Sequence, residues 1–199
     1  VAFHAPHVKG LNPPRDFDDV PLSCIQTPAL ELCIADGQNA GPAPCPDEDR
    51  SVYQAQVECM DTRIGELLDD LEAADAAMLE DTVIVFMGDN GTPHNVSEFM
   101  FDDTPDRGKT TVYETGIRVP LLVADGAAWT GGVSTLVTSG GRDVTLRTHV
   151  MDVYNTLVDH ATGATMPVDS ESFVDCFSTT GGHCGRATVS QTNYTEYFN

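Results

Sequence analysis

Thr82-Val83-Ile84-Val85-Phe86-Met87-Gly88-Asp89-Asn90-Gly91 decides how this chain is read. The run from Val83 to Met87 is apolar and rich in β-branched residues, and it stops at Gly-Asp-Asn-Gly. An unbroken apolar run of this length predicts a strand buried on both faces, as in a parallel sheet. In open α/β sheets the loops past the C-terminal strand ends form the ligand crevice. Asp89 brings a carboxylate to that place and Asn90 a side-chain carbonyl. Both are hard oxygen donors of the kind Ca²⁺ or Mg²⁺ prefers. Gly88 and Gly91 allow a sharp turn and a close backbone approach. A plain Asp-Asn-Gly turn has the same composition, so this stretch alone does not choose between turn and metal site.

Working outward on the N-terminal side, Asp49 or Ser51 can cap a helix start. Tyr53, Val57, Met60, Ile64, Leu67, Leu68 and Leu71 then recur at three- and four-residue spacing. They predict a long amphipathic helix over 51–74 that lays one stripe on a sheet. Residues 10–50 hold several Pro, three Cys and little periodicity, and read as a long loop or insertion, stapled by disulfides and contributing to a binding mouth. Val1 to His7 reads as a strand end running into a loop, so the expectation is that sequence precedes Val1.

On the C-terminal side, residues 91–111 are polar and carry Lys109 between Gly108 and two Thr. Ile117 to Val123 predicts a second strand, and Val133 to Thr138 a short one. Val150, Val153, Tyr154, Leu157 and Val158 predict a helix over 148–161 with Asp152 in its first turn. Residues 166–199 read as a tail or the start of a small subdomain, after a main domain over 1–165.

Composition bounds the function. Ten Lys+Arg against thirty-one Asp+Glu leave a net charge of -21, which argues against nucleic acid and anionic membranes as partners. No apolar run is long enough to span a membrane as a helix. Six Cys lean towards disulfides and an oxidising, secretory or periplasmic compartment, with unpaired thiols as the other option, and their spacing does not choose the pairing. Asn90, Asn95 and Asn193 each begin an Asn-x-Ser/Thr triplet, but a buried metal ligand cannot also carry a glycan.

A divalent cation at Asp89 and Asn90, the Lys109 ammonium and the His7 imidazole would together make a site for a tetrahedral oxyanion such as sulfate or phosphate, provided they converge. Ala5-Pro6-His7, Met60-Asp61-Thr62-Arg63-Ile64-Gly65-Glu66-Leu67-Leu68-Asp69-Asp70-Leu71, Asp81 to Pro93, and Gly108-Lys109-Thr110-Thr111-Val112-Tyr113-Glu114-Thr115-Gly116-Ile117-Arg118-Val119-Pro120 occur in that order. Val150 to Asp159 follows them. This series resembles the sulfatase family of the alkaline phosphatase superfamily, over residues 1–8, 51–124 and 148–163.

The resemblance implies an alkaline-phosphatase-like α/β fold: a mixed, mostly parallel sheet flanked by helices, with its N-terminal strands missing from this chain. It implies Asp89 and Asn90 as metal ligands, usually to Ca²⁺, and Lys109 as the Lys that contacts the sulfate. It implies His7 as the His that contacts the sulfate ester and assists the leaving group. Glu114 and Arg118 match structural positions, with the Arg118 guanidinium paired, while Thr115 stands where Gly is common and Asn155 where Pro is common.

The family's formylglycine nucleophile, made from a Cys or Ser in a Cys/Ser-x-Pro-x-Arg motif, and two further Asp metal ligands have no counterpart here. Cys59-Met60-Asp61-Thr62-Arg63 imitates the spacing but lacks the Pro and lies mid-helix, so it is rejected as nucleophile. The chain is therefore read as the C-terminal part of a sulfatase, acting on a sulfated small molecule or carbohydrate in its full-length form and inactive alone. A phosphoric or phosphonic ester hydrolase and a non-catalytic binding module are the competing readings.

Overall fold

The computed structural model describes residues 20–38, 48–94, 96, 108–132, 148–167 and 169–177. The chain divides into two compact units, one of Val1–Asp75, Gly88–Val119 and Tyr194–Asn199, the other of Ala76–Met87 and Pro120–Asn193.

In the first unit, a 3₁₀ turn at Leu22–Cys24 leads into helix α1 (Pro28–Gln38), followed by the long helix α2 (Glu48–Glu80), whose residues from Ala76 on belong to the second unit. The helix α1 corrects the reading of 10–50 as loop. Its signals are local: Pro28 sits at the first helical position, where its missing N–H costs nothing. Leu30, Cys33 and Ile34 then fall on one face and are all buried. That face meets Val20, Ile25 and Ala55 in a small core, with Leu22, Val52 and Cys59 packed against it. The buried contact of α2 is thus made by Val52, Ala55 and Cys59, beside the predicted stripe, whose members from Tyr53 to Leu71 are half-buried.

Two devices fasten α1 to α2. Cys24 and Cys59 form a disulfide with a sequence separation of 35, worth about 4 kcal/mol in the chain-entropy account. Cys33 and Cys176 are each held in a disulfide as well. Beside the first bridge, the Glu58 carboxylate accepts the backbone N–H groups of Gln26 (2.8 Å) and Thr27 (3.0 Å), the Thr27 hydroxyl (2.7 Å) and Gln54 Nε2 (3.3 Å). The Thr27 carbonyl in turn accepts from Leu30 and Glu31, so the carboxylate stands at the N-terminal end of α1, where the helix dipole favours an anion. Helix α2 is interrupted at Asp75, whose φ of -162° and ψ of 91° are extended.

In the second unit, β1 (Val83–Met87) pairs with β2 (Leu121–Asp125). The pairing is antiparallel, with Val85 opposite Val123. The expectation of parallel strands is not met in this pair, and neither is burial on both faces. Along β2, Leu121 and Val123 are half-buried and Asp125 buried, while Leu122 and Ala124 are exposed. That alternation is the mark of a ribbon covered on one side. Val83, Leu121 and Val123 pack on Phe173, Cys176 and Phe177, together with Val153 and Val174. A run of apolar β-branched residues reports strand formation but not strand direction, and the connection over residues 88–120 is long enough for either.

Helix α3 (Glu114–Ile117) precedes β2, and α4 (Gly126–Trp129) follows it. Helix α5 (Asp152–Thr162) ends at Gly163, whose φ of 69° is left-handed. Its buried polar residues tie down the segment after it. Asp152 accepts the N–H groups of His149 (2.9 Å) and Glu171 (3.0 Å), and Thr156 Oγ1 accepts from Phe173 (3.0 Å). Asn155 accepts from Met166 (2.8 Å) and donates to the Ser170 carbonyl (2.9 Å). The Asn155 side-chain amide therefore holds two points of the segment after α5. The short strand predicted at Val133 to Thr138 lies outside the described residues.

Candidate anion and metal site

Strand β1 ends at Met87, and Gly88-Asp89-Asn90-Gly91 carries the chain from the second unit into the first. Asp89 and Asn90 are exposed at this tip. Asn90 Nδ2 donates to the Gly91 carbonyl (3.2 Å), which leaves its own carbonyl oxygen for another partner. Immediately beyond, the backbone is strapped to a second segment. Gly91 N–H donates to the Gly116 carbonyl (3.1 Å) and Thr92 N–H to the Thr115 carbonyl (2.9 Å). Gly91 is buried so tightly that a Cβ there would run into the Thr115 carbonyl and the Gly116 backbone, so this position requires glycine.

Lys109 enters the same strap. Its N–H donates to the Thr92 carbonyl at 2.7 Å. Gly108 N–H donates to His94 Nδ1 at 3.1 Å. Thr111 folds back, giving both its N–H (3.2 Å) and its hydroxyl (2.7 Å) to the Gly108 carbonyl. Between them, Thr110 has φ of 80°, a conformation that a β-branched residue adopts only under strain. Only Gly91 separates Asn90 from Thr92, and two residue steps span at most about 7 Å of chain. The structure therefore brings Asp89, Asn90 and Lys109 onto one hydrogen-bonded pair of segments within the first unit. The Asp89 carboxylate and Lys109 ammonium make no hydrogen bond or ion pair among the described residues. His7 lies outside the described residues.

Arg118 Nη1 lies 3.7 Å from Glu114 Oε1 one helical turn away; the sequence leads to a paired guanidinium but not to its partner, and with both side chains exposed the contact is worth about 0–1 kcal/mol. Cys59, held in its disulfide, has no thiolate to offer. Sequence reasoning missed Thr92 and His94 as organisers of the site. The one available signal was the small residue Gly108 next to Lys109, which marks a close backbone approach.

The family model for Sulfatase matches residues 1–164. The chain belongs to the sulfatase family. That membership carries an alkaline-phosphatase-like α/β fold and, for the family, hydrolysis of sulfated substrates. Comparison with curated proteins gives no match. The donor set of this sulfatase chain can be tested against the metal the family uses. Asp89 and Asn90 offer at most three side-chain oxygens, whereas Ca²⁺ takes about six to eight. No group of three or more His, Cys, Asp or Glu that could hold a metal occurs among the described residues. The chemistry of the two donors suits the ion, but by themselves they are only part of a coordination shell. No helix among the described residues is long and apolar enough to cross a membrane.

Proposed function

We propose that the full-length protein hydrolyses sulfate esters, with Lys109, Asp89, Asn90 and His7 gathered around the sulfate group. The observation that carries this reading is the shared rung at Thr92, whose N–H is tied to Thr115 and whose carbonyl is tied to Lys109. It ties the main chain of Lys109 to the segment that continues from Asp89 and Asn90.

In this reading the Lys109 ammonium neutralises charge on the sulfate oxygens, which is worth most where charge develops in the transition state. Asp89 and Asn90 contribute two ligands to Ca²⁺, the rest coming from elsewhere in the full-length protein. His7 gives a proton to the departing alkoxide, a role that matters most for poor leaving groups. The formylglycine hydrate supplies the attacking hydroxyl in this family, and no residue of these 199 matches its motif. The chain alone is therefore inactive. The Cys24–Cys59 bridge supports an oxidising, secretory compartment.

The test is turnover of 4-nitrophenyl sulfate by the full-length protein. Lys109→Ala should lower kcat/KM about a hundredfold or more, with the folded far-UV spectrum unchanged. Undiminished turnover would remove Lys109 from the site. Faster turnover of 4-nitrophenyl phosphate would make the protein a phosphoric ester hydrolase instead.

A further inference from the structure

We propose that His94 is a positioning residue for Lys109. The inference rests on the sulfatase reading of Lys109 above. His94 Nδ1 accepts the N–H of Gly108, the residue immediately before Lys109, at 3.1 Å. The next N–H along, that of Lys109 itself, goes to the Thr92 carbonyl at 2.7 Å. Two successive amides, those of Gly108 and Lys109, are thus held by the short segment 92–94, the one that continues from the Asp89–Asn90 tip. Packing reinforces the bonds. Gly108 is buried, and a Cβ on it would come within 2.7 Å of the Thr92 carbonyl oxygen and 2.9 Å of the His94 Cα and N.

The geometry also says why an imidazole serves here. An acceptor on a side chain reaches the Gly108 amide where the backbone of segment 92–94 offers its nearest carbonyl, Thr92, to Lys109 instead. Accepting at Nδ1 places the ring proton on Nε2, since a doubly protonated ring has no acceptor. Beyond Lys109 the chain is forced through the left-handed Thr110 and back to Gly108 by Thr111. A strained turn of this kind persists only where its surroundings over-determine it. The His94 bond is one of the ties that do so. Without it, Lys109 keeps its ammonium but loses the direction in which it is presented.

The experiment is a double-mutant cycle in the full-length protein, read with 4-nitrophenyl sulfate. His94→Phe keeps an aromatic ring and removes the acceptor. It should lower kcat/KM about tenfold or more, because small misplacements of a charged group are costly. In a Lys109→Ala background the same change should alter kcat/KM by less than about twofold, since His94 then has nothing left to position. His94→Asn, whose amide oxygen can replace Nδ1, should recover most of the rate. Hydrogen exchange at the Gly108 amide should speed up in His94→Phe and stay slow in His94→Asn. If His94→Phe fails to fold, His94→Ala takes its place in the cycle.

Equal losses in both backgrounds, or Gly108 exchange indifferent to His94, would overturn the proposal. An undiminished Lys109→Ala rate would remove the sulfate-contacting assignment and this proposal with it. That outcome is recognisable separately, because Gly108 exchange would still respond to His94.

Discussion

The Thr92 carbonyl accepts the Lys109 N–H at 2.7 Å, while the Thr92 N–H is given to the Thr115 carbonyl at 2.9 Å. One residue thus joins stretches that lie well apart in the sequence. The arrangement is made by main-chain groups, so it depends on the two segments lying close, and that closeness depends on glycine.

Gly91→Ala should break it. The added methyl meets the Thr115 and Gly116 backbone, which cannot move aside as a side-chain tip can. The expected cost is about 2–3 kcal/mol, read as a lower denaturant midpoint. Amide exchange at Thr92 and Lys109 should accelerate in the same variant, while a Gly131→Ala control should leave those amides unchanged.

Thr110→Gly should act in the opposite direction on stability. Relief of the positive φ gains about 1–2 kcal/mol, and the extra freedom of glycine in the unfolded chain returns about 0.5–1. Thermal unfolding should show a neutral to slightly raised Tm. Turnover by the full-length protein should fall, because the turn that directs Lys109 is then loose. A Tm lowered by several degrees would mean the left-handed turn carries no strain.

Asp152→Ala should be among the most damaging single changes in the second unit. The carboxylate is 2% exposed and accepts the N–H groups of His149 and Glu171. Its removal orphans both donors, at about 2–4 kcal/mol in total. Urea unfolding monitored by a probe in the second unit, such as Trp129 fluorescence, measures the loss.

Glu58 gives the first unit a pH dependence. Burial raises its pKa, but the hydrogen bonds from the Thr27 hydroxyl, the Gln26 and Thr27 amides and Gln54 outweigh it, and the net shift is below the ordinary value of 4.5. A carboxylate whose folded pKa is depressed adds stability above the unfolded value and loses it as pH falls through the folded one. Stability of the α1–α2 pair should therefore decline as pH drops below about 4.5. In Glu58→Gln that part of the decline should vanish. An identical acid profile in the variant would show that Glu58 contributes nothing to it.

Much of this protein was legible in one dimension because the information was local. The three- and four-residue spacing of α2 and α5, the apolar run of β1 and the ordered family motifs all lie within single segments. Helix α1 was legible too, through Pro28, Leu30, Cys33 and Ile34, but the density of Pro and Cys around it masked the pattern. The family itself follows from residue order, which needs no coordinates.

What depended on three dimensions is everything carried by non-local main-chain contacts. Strand direction is one case, since an apolar run is the same read parallel or antiparallel. The pairing of Cys24 with Cys59 is another, because spacing alone leaves many partners open. The clamp around Lys109 is the third: His94 and Thr92 act through a ring nitrogen and a carbonyl, and whether such groups meet Gly108 and Lys109 is set by how the chain returns on itself, which residue types near each end do not encode.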